Sequence, residues 1–228
     1  MKIAAIGAHP GDVEVSAGAL LHKYIEAGHS ATAIVLTNGD HGHPSLPPEK
    51  YAEQTSAEAH RAAEILQEEC FFCNRSSGTL SVTPEAIRDL AALLFRIKPD
   101  VVITHARECS HQDHSTCNWL VTKTLQMTPE LCDIPVFHWE NREDNRGFRT
   151  EYFIEVGQAD VDAWDRACMS FQFFRDGFYN FNYHNYYRAL FSLRGAEARV
   201  PFAVAYMRGS SMINGLDLRD SLPGFPLK

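Results

Sequence analysis

Short hydrophobic runs alternate with longer stretches of mixed polarity along the first two-thirds of the chain, and this pattern predicts β-strands separated by α-helices. The runs Ile3–Gly7, Ala31–Leu36 and Pro99–Thr104 are mostly apolar, which is typical of strands buried in a parallel sheet. The longer stretches Val15–Ala27 and Glu49–Glu68 carry apolar residues at helical spacing. Weaker patterns predict a strand at Phe71–Phe72, helices at Thr83–Ile97, Ser115–Gln126 and Val161–Phe174, and strands at Val136–Trp139 and Tyr152–Val156.

The alternation of strands and helices favours an α/β fold, because βαβ units build a parallel sheet that is covered by helices. No linker, internal repeat or low-complexity tract interrupts the sequence. A chain of this length can also bury one complete core. We therefore expect residues 1–228 to form a single α/β domain.

Charge and composition narrow the range of partners. The 29 acidic residues exceed the 21 basic ones, and the resulting net charge of −8 argues against binding of nucleic acid or of an anionic membrane surface. No apolar run approaches the ~20 residues that span a bilayer, and Met1–Gly7 is too short for the core of a signal peptide. We therefore expect a cytoplasmic protein with no membrane span.

The six cysteines do not follow the spacing of a disulfide framework, which also favours a reducing compartment. Cys70 and Cys73 match a C-x-x-C pattern, but the segment is apolar and the chain contains no second pair of this kind. We interpret both side chains as buried thiols without a redox or metal-binding role.

Two polar clusters follow predicted strands directly. His9-Pro10-Gly11-Asp12 comes after the first strand, and His111-Gln112-Asp113-His114 lies in the loop after Pro99–Thr104. In open α/β sheets, ligands bind in the crevice outside the carboxyl ends of the strands. We therefore expect both clusters to face one crevice.

The side chains of these clusters suit a divalent metal ion. Two histidines and one carboxylate, with one position left for water, are the ligand set of hydrolytic zinc sites. Such an ion polarises a carbonyl group and lowers the pKa of its bound water towards ~7. Zinc is the expected ion, although Fe²⁺ or another divalent metal accepts the same ligands. A nucleotide site is disfavoured, because the turn lacks the G-x-G-x-x-G pattern.

The two clusters also carry a family resemblance. Gly7–Glu14 resembles the A-H-P-D-D-E signature of the PIG-L/LmbE-like zinc N-deacetylase family. Pro99–His105 followed by His111-x-Asp113-His114 resembles the second signature of that family. Similarity extends through Thr37–Asp40 and the Ala-rich helix that ends at Leu66. It continues faintly to Arg194-Gly195 and so covers most of the chain.

The resemblance implies roles for particular residues. His9, Asp12 and His114 match the metal ligands of the family. His111 matches the histidine that stabilises the tetrahedral intermediate or protonates the leaving amine, and Asp113 matches the carboxylate that orients a neighbouring imidazole. The resemblance further implies a Rossmann-like, mostly parallel sheet between helices, an N-acylated amino sugar or similar small amide as substrate, and a homo-oligomer (trimer or hexamer).

The sequence departs from the family pattern at three positions. Gly11 occupies the place of the aspartate that serves as the general base, a function typically worth 10²–10⁴ in rate. Thr55 stands near the place of a substrate-binding arginine, and Ser77 precedes Gly78 where an aspartate is common. The alternative to an active deacetylase is therefore a catalytically impaired member that still binds a metal or a sugar.

Four residues are candidates for replacing the missing base. Glu14 lies two residues after Asp12, although a carboxylate there also suits the positive end of a helix dipole. Asp40 and His41 follow the second strand, and a solvated loop is their alternative interpretation. Asp113 is the fourth candidate.

The segment 171–191 is unusually rich in aromatic residues. Core and subunit-contact packing is the favoured interpretation, and a wall that stacks on a sugar is the alternative. The aromatic residues are Phe171, Phe173, Phe174, Phe178, Tyr179, Phe181, Tyr183, Tyr186, Tyr187 and Phe191.

Overall fold

A computed structural model describes residues 1–141, 146–176 and 180–209 of the chain. Seven strands form one sheet, with helices on both of its faces. The strands are β1 Lys2–Gly7, β2 Ser30–Thr37, β3 Glu69–Arg75, β4 Val101–Thr104, β5 Val136–Trp139, β6 Tyr152–Glu155 and β7 Ala203–Arg208. The helices are α1 Asp12–Glu26, α2 Pro48–Leu66, α3 Pro84–Ile97, α4 Gln112–Met127, α5 Gln158–Cys168, α6 Gln172–Asp176 and α7 Tyr183–Ala198, with a 3-10 turn at Pro129–Leu131.

The strand order is β3-β2-β1-β4-β5-β7-β6, and the first five strands along the chain are all parallel. Only β7 runs antiparallel to its neighbours β5 and β6. The prediction of an α/β fold with a mostly parallel sheet is thereby confirmed. The single-domain assignment of residues 1–228 stays a prediction.

Strand β1 is the central element of the core. Its residues from Ile3 to Gly7 are buried, with Ile3 and Ala5 packing into one hydrophobic cluster and Ala4 and Ile6 into another. This alternation follows from the pleat of a strand, which directs successive side chains to opposite faces. A strand buried on both faces needs a continuous apolar run, and this is the pattern that predicted it.

The neighbours of β1 fix the position of the candidate site. After β1 the chain moves outward through β2 and β3 on one side, whereas β4 pairs with the other side of β1. The strand order therefore reverses between β1 and β4, which is the topological switch point where α/β sheets bind ligands. Both polar clusters lie at this place.

The C-terminal part of the chain differs from the sequence-based expectation. The helix predicted at Val161–Phe174 is broken at residues 169–171 into α5 and α6. Helix α7 and strand β7 were not predicted, and for α7 the dense aromatic residues hide the helical period. Helix α1 begins three residues earlier than predicted, at Asp12.

None of the described helices combines the length and the apolarity that a membrane-spanning segment needs. The cysteines form no disulfide, and all six lie in the described residues. Cys70 and Cys73 are half-buried rather than fully buried, which corrects the prediction in degree. Burial raises the pKa of both thiols, to about 11 for Cys73, so that both stay protonated at neutral pH.

Candidate functional site

The turn after β1 directs His9 and Asp12 to the same place. Gly11 has a φ of +100°, a left-handed conformation that side chains disfavour, and it caps the start of α1 without a side-chain hydrogen bond. Inside the turn, the His9 N–H donates to Asp12 Oδ2 at 2.7 Å and the Asp12 N–H donates to the His9 carbonyl at 3.2 Å. The turn therefore holds an imidazole and a carboxylate side by side.

The first turn of α4 brings His114 to the same point. His9 Nδ1 lies 3.2 Å from His114 Nε2 and 3.4 Å from Asp12 Oδ2, and His114 Nε2 lies 3.5 Å from Asp12 Oδ1. A tetrahedral zinc ion with bonds of about 2.0–2.2 Å keeps its donor atoms roughly 3.3 Å apart. Each separation therefore has the size expected between two ligands of one ion, with Asp12 facing the two histidines through different oxygens.

Asp113 contacts His9 through the ring nitrogen that does not face Asp12 and His114. It is fully buried, and its carboxylate accepts hydrogen bonds from His9 Nε2 at 3.0 Å, from the Gly78 N–H at 2.5 Å and from the Leu80 N–H at 3.3 Å. Since His9 Nε2 donates to Asp113, His9 Nδ1 is the ring nitrogen that faces Asp12 and His114. This is the carboxylate–imidazole pairing that fixes the tautomer of a metal-binding histidine.

The charges around the cluster favour a cation. Burial alone would raise the pKa of Asp12, but the electrostatic interactions and hydrogen bonds with His114 and His105 bring it well below its usual value. Burial alone would lower the pKa of His9, but the carboxylates of Asp113 and Asp12 outweigh burial and raise it. The same carboxylates would stabilise a divalent ion at the point where these side chains meet.

His105 belongs to the cluster although the sequence analysis gave it no role. Its Nε2 lies 3.0 Å from Asp12 Oδ2, and its Nδ1 lies 2.8 Å from Asn141 Oδ1, which also accepts a hydrogen bond from Trp139 Nε1. Burial and the nearby His114 lower the pKa of His105 to about 4, so the ring is neutral at pH 7. Its place directly after β4 was the available sequence signal.

His111 lies at the exposed side of the cluster, where it caps α4. Its ring centroid is 4.8 Å from that of His9 and 4.4 Å from that of His114. His114 belongs to two groups of three potential metal ligands. One group also contains His9 and His111, and the other contains Asp12 and His105. Within each group the ligand atoms lie within 4.8 Å of one another. All five predicted site residues are thus brought together.

A cavity of about 530 Å³ opens beside the cluster, which is the size of cavities that hold small-molecule ligands. Of the four candidates for a replacement base, His41 alone lines it. Glu14 is fully buried on α1, and burial raises its pKa to about 7. Asp40 accepts hydrogen bonds from Ser76 and Ser77, and Asp113 is engaged by His9.

The two other departures from the family pattern also line the cavity. The Thr55 hydroxyl is buried and donates to the Asn38 carbonyl at 2.9 Å, and the Ser77 hydroxyl donates to Asp40 Oδ1 at 3.0 Å. Both side chains are neutral and already bonded within the protein. Among the described residues that line the cavity there is no lysine or arginine.

The aromatic segment contributes to both the core and the cavity. Phe171, Phe174, Tyr187 and Phe191 are buried in the core, as favoured, whereas Phe173 and Tyr183 line the cavity. A subunit contact stays a prediction. Phe178 and Tyr179 lie outside the described residues.

Comparison with known proteins agrees with the arrangement of this site. The sequence profile described as "PIG-L: GlcNAc-PI de-N-acetylase" matches residues 4–125, which include both polar clusters. A 1D-myo-inositol 2-acetamido-2-deoxy-alpha-D-glucopyranoside deacetylase of Corynebacterium diphtheriae is 27% identical over 198 residues. That match spans 73% of this chain but only 64% of the relative's own length.

Solved structures share the fold. The 4-carboxy-2-hydroxymuconate hydratase of Pseudomonas putida KT2440 superposes with a TM-score of 0.80 at 18% identity, covering 95% of this chain and 99% of the other. The N,N'-diacetylchitobiose deacetylase of Pyrococcus horikoshii gives 0.76 at 17% identity, covering 92% and 84%. These likenesses show the fold alone, which carries two different named activities. Because the PIG-L profile matches more than half of this chain, the chain belongs to the PIG-L family.

Proposed function

We propose that this protein is a metal-dependent hydrolase that cleaves the amide bond of an N-acylated amino sugar or a related small molecule. The observation that carries the proposal is the convergence of His9 Nδ1, Asp12 and His114 Nε2 at separations of 3.2–3.5 Å, at the switch point of the sheet and beside a cavity. Zinc is the proposed ion, and Fe²⁺ is the alternative, because both accept two imidazoles and a carboxylate.

The surrounding residues have distinct tasks in this proposal. A bound ion would supply Lewis-acid polarisation of the amide carbonyl and a water of lowered pKa. Asp113 holds Nδ1 of His9 towards Asp12 and His114, where the ion would bind, and Asn141 holds the ring of His105 through its Nδ1. His111, exposed at the cavity, is placed to donate a proton to the leaving amine.

The named activities of relatives support this substrate class. The Corynebacterium diphtheriae relative is a deacetylase whose named substrate carries a 2-acetamido sugar, and the Pyrococcus horikoshii enzyme acts on N,N'-diacetylchitobiose. The cavity lining without described lysine or arginine also suits a neutral substrate better than an anionic one.

We further propose a cytoplasmic homo-oligomer, a trimer or hexamer. Sedimentation of the purified protein would test the oligomeric state.

The direct test measures amine release by the metal-free and the zinc-loaded protein. The substrates are N-acetylglucosamine, N,N'-diacetylchitobiose and the acetamido glycoside of inositol. We expect zinc-dependent release of free amine with multiple turnovers, and its loss in His114→Ala. Binding of about one zinc per chain without amine release from any N-acyl sugar would contradict hydrolase function.

A second candidate function follows from Gly11, which leaves the family's general-base position without a side chain. In this alternative the protein binds the metal and a sugar without turnover. Restoring the base with Gly11→Asp does not separate the two functions cleanly. Any other residue at position 11 would have to adopt a left-handed φ. Its Cβ would also lie only 2.9 Å from Phe173 Cε1 and Cζ. Multiple turnovers by the natural protein would exclude the alternative.

A further inference from the structure

Phe173 occupies the space that a side chain at position 11 would need. The ring atoms Cε1 and Cζ lie 2.9 Å from the position of a Cβ built on Gly11, which is closer than real Cβ contacts. Gly11 stands between His9 and Asp12, two of the proposed metal ligands. The bare backbone of this turn therefore allows a phenyl ring to pack where the family places a carboxylate.

The ring of Phe173 is held in place by its surroundings. Its centroid lies 5.5 Å from that of the fully buried Phe171 and 6.1 Å from that of Phe174, and Tyr183 meets it edge-on at 5.6 Å. Such edge-to-face and tilted pairs are the favoured arrangements of aromatic rings. The ring of Phe173 is thus held in one position at the side of the cavity.

The backbone that carries Phe173 is also fixed. The Gln172 N–H donates to Glu58 Oε1 at 3.2 Å, and Gln54 Nε2 donates to Gln172 Oε1 at 2.6 Å, so that α2 anchors the segment. On the other side, the Arg175 guanidinium donates to the carbonyls of Met169 and Ser170. A wall that is fixed from both sides can discriminate between ligands by shape.

The cavity has an apolar side next to the proposed metal ligands. Phe173, Pro10, Val15 and Tyr183 line it together with His9, Asp12 and His114. Val15 lies one helical turn after Gly11, since its N–H donates to the Gly11 carbonyl at 2.9 Å. A substrate group that lies here exchanges water for hydrocarbon contacts.

We propose that Phe173 is a specificity-determining residue that packs against the acyl group of the substrate. The site therefore prefers N-acyl groups that are larger and more apolar than acetyl. This inference rests on the proposed hydrolase function. The scissile amide must lie beside His9, Asp12 and His114, and its acyl substituent rather than its polar amine part is assigned to the side of Phe173 because the lining there is hydrocarbon.

Two metal-chelating probes test this preference without turnover. Acetohydroxamic acid and phenylacetohydroxamic acid bind zinc through the same group and differ only in the acyl part. We expect the zinc-loaded protein to bind the phenylacetyl probe at least about tenfold more tightly in calorimetric titrations, because burying the phenyl ring removes apolar surface from water. In Phe173→Ala this preference should fall below about threefold.

Matched variants separate this role from general packing. Phe181→Ala removes a ring that also contacts Tyr183, at 4.7 Å, but does not line this cavity, and it should keep the preference. Phe173→Leu retains apolar volume and should give an intermediate preference, which decides the matter if the alanine variant does not fold. Thermal melts establish which variants are folded.

The outcomes distinguish this inference from the proposed function. Failure of the protein to bind either Zn²⁺ or Fe²⁺ would overturn both. Zinc binding with equal affinities for the two hydroxamates would overturn the inference alone. So would a Phe173→Ala protein that keeps the hydroxamate preference but binds methyl glucosaminide tenfold more weakly, because the ring would then serve the sugar rather than the acyl group.

Discussion

Two parts of the chain build the cavity, and they differ in their relation to the PIG-L family. Residues 4–125 match the family profile and contain His9, Asp12 and His114. Among the described residues beyond this match, Asn141, Phe173 and Tyr183 line the cavity. The matched part supplies the donor atoms that we propose for the ion and part of the apolar lining, whereas the described residues beyond it supply two aromatic rings and one amide.

This difference separates the chemistry of the site from its selectivity. Ligand geometry must be kept within a few tenths of an ångström for any metal-dependent reaction. The lining beyond the family match is free of this constraint, and we expect it to vary with the substrate that the protein handles. Gly11 is the point where the two parts touch, because its missing side chain makes room for Phe173.

The largest effect is expected from His114→Ala, which removes the residue shared by both donor groups. Zinc affinity should fall by more than about 100-fold, because replacing mere hydrogen-bond partners of metal ligands already costs 10–100-fold. Calorimetry with competing chelators measures this change. The control is His60→Ala, an exposed histidine on α2. Unchanged zinc affinity in His114→Ala would place the ion elsewhere.

The contact between the two parts of the chain can be broken with Gly11→Ala. We expect it to lower the free energy of unfolding by about 2–4 kcal/mol, since left-handed strain and overpacking each cost about 1–3 kcal/mol. Gly28→Ala is the matched control. Gly28 also has a positive φ of +84° but has open space around its Cβ position, so only the strain should appear.

A double variant sharpens the same test. In Gly11→Ala/Phe173→Ala the clash is absent, and the destabilisation should be smaller than the sum of the single changes by about 1–2 kcal/mol. Denaturant unfolding of the four proteins gives this coupling. Simple additivity would show that position 11 and the ring act independently.

Asp113→Asn tests the matched part from behind the cluster. The amide oxygen can still accept from His9 or from a backbone N–H, but the NH₂ group must then face a donor. We expect zinc to bind about 10–100-fold more weakly, as for other partners of metal-binding histidines. Asp162→Asn, on the exposed side of α5, should leave the affinity unchanged.

The smallest effect concerns a carboxyl group of the matched part that lies away from the cavity. Glu68 is buried without a hydrogen-bond partner among the described residues, and burial together with the charge of Glu14 raises its pKa well above 4.5. With a raised folded-state pKa, its contribution to stability is complete below about pH 4.5 and is lost as the pH rises through the folded value.

Glu68→Gln should therefore stabilise the protein by about 1 kcal/mol at pH 8 and much less near pH 5. Urea unfolding at the two pH values measures the difference. The exposed neighbour Glu69, changed to Gln, serves as the control. A gain that is equal at both pH values would exclude ionisation of Glu68 as its cause.

The sequence predicted the parts of the site that depend on local patterns. The apolar runs Ile3–Gly7 and Pro99–Thr104 predicted two strands. A polar segment follows each strand, with His9 after the first and His111 after the second. The rule that ligands bind at the carboxyl ends of parallel strands then predicted that the clusters meet. The structure adds that β1 and β4 are direct neighbours at the point where the strand order reverses.

Long-range contacts explain what the sequence did not predict. His105 follows β4 as a lone histidine, and only the fold brings Asn141 to its Nδ1. The contact between Gly11 and Phe173 joins residues far apart in sequence, and no periodicity could indicate it. The break between α5 and α6, which places Phe173 at the cavity, lies in a segment whose aromatic residues hide the helical period.

The central claim is that His9, Asp12 and His114 share one metal ion. A crystal structure of the zinc-loaded protein, with anomalous difference maps recorded on both sides of the zinc absorption edge, tests this claim most directly. We expect one anomalous peak at about 2.0–2.2 Å from His9 Nδ1, a carboxylate oxygen of Asp12 and His114 Nε2. A peak bound by other residues, or no peak in crystals that were grown with excess zinc, would contradict the account.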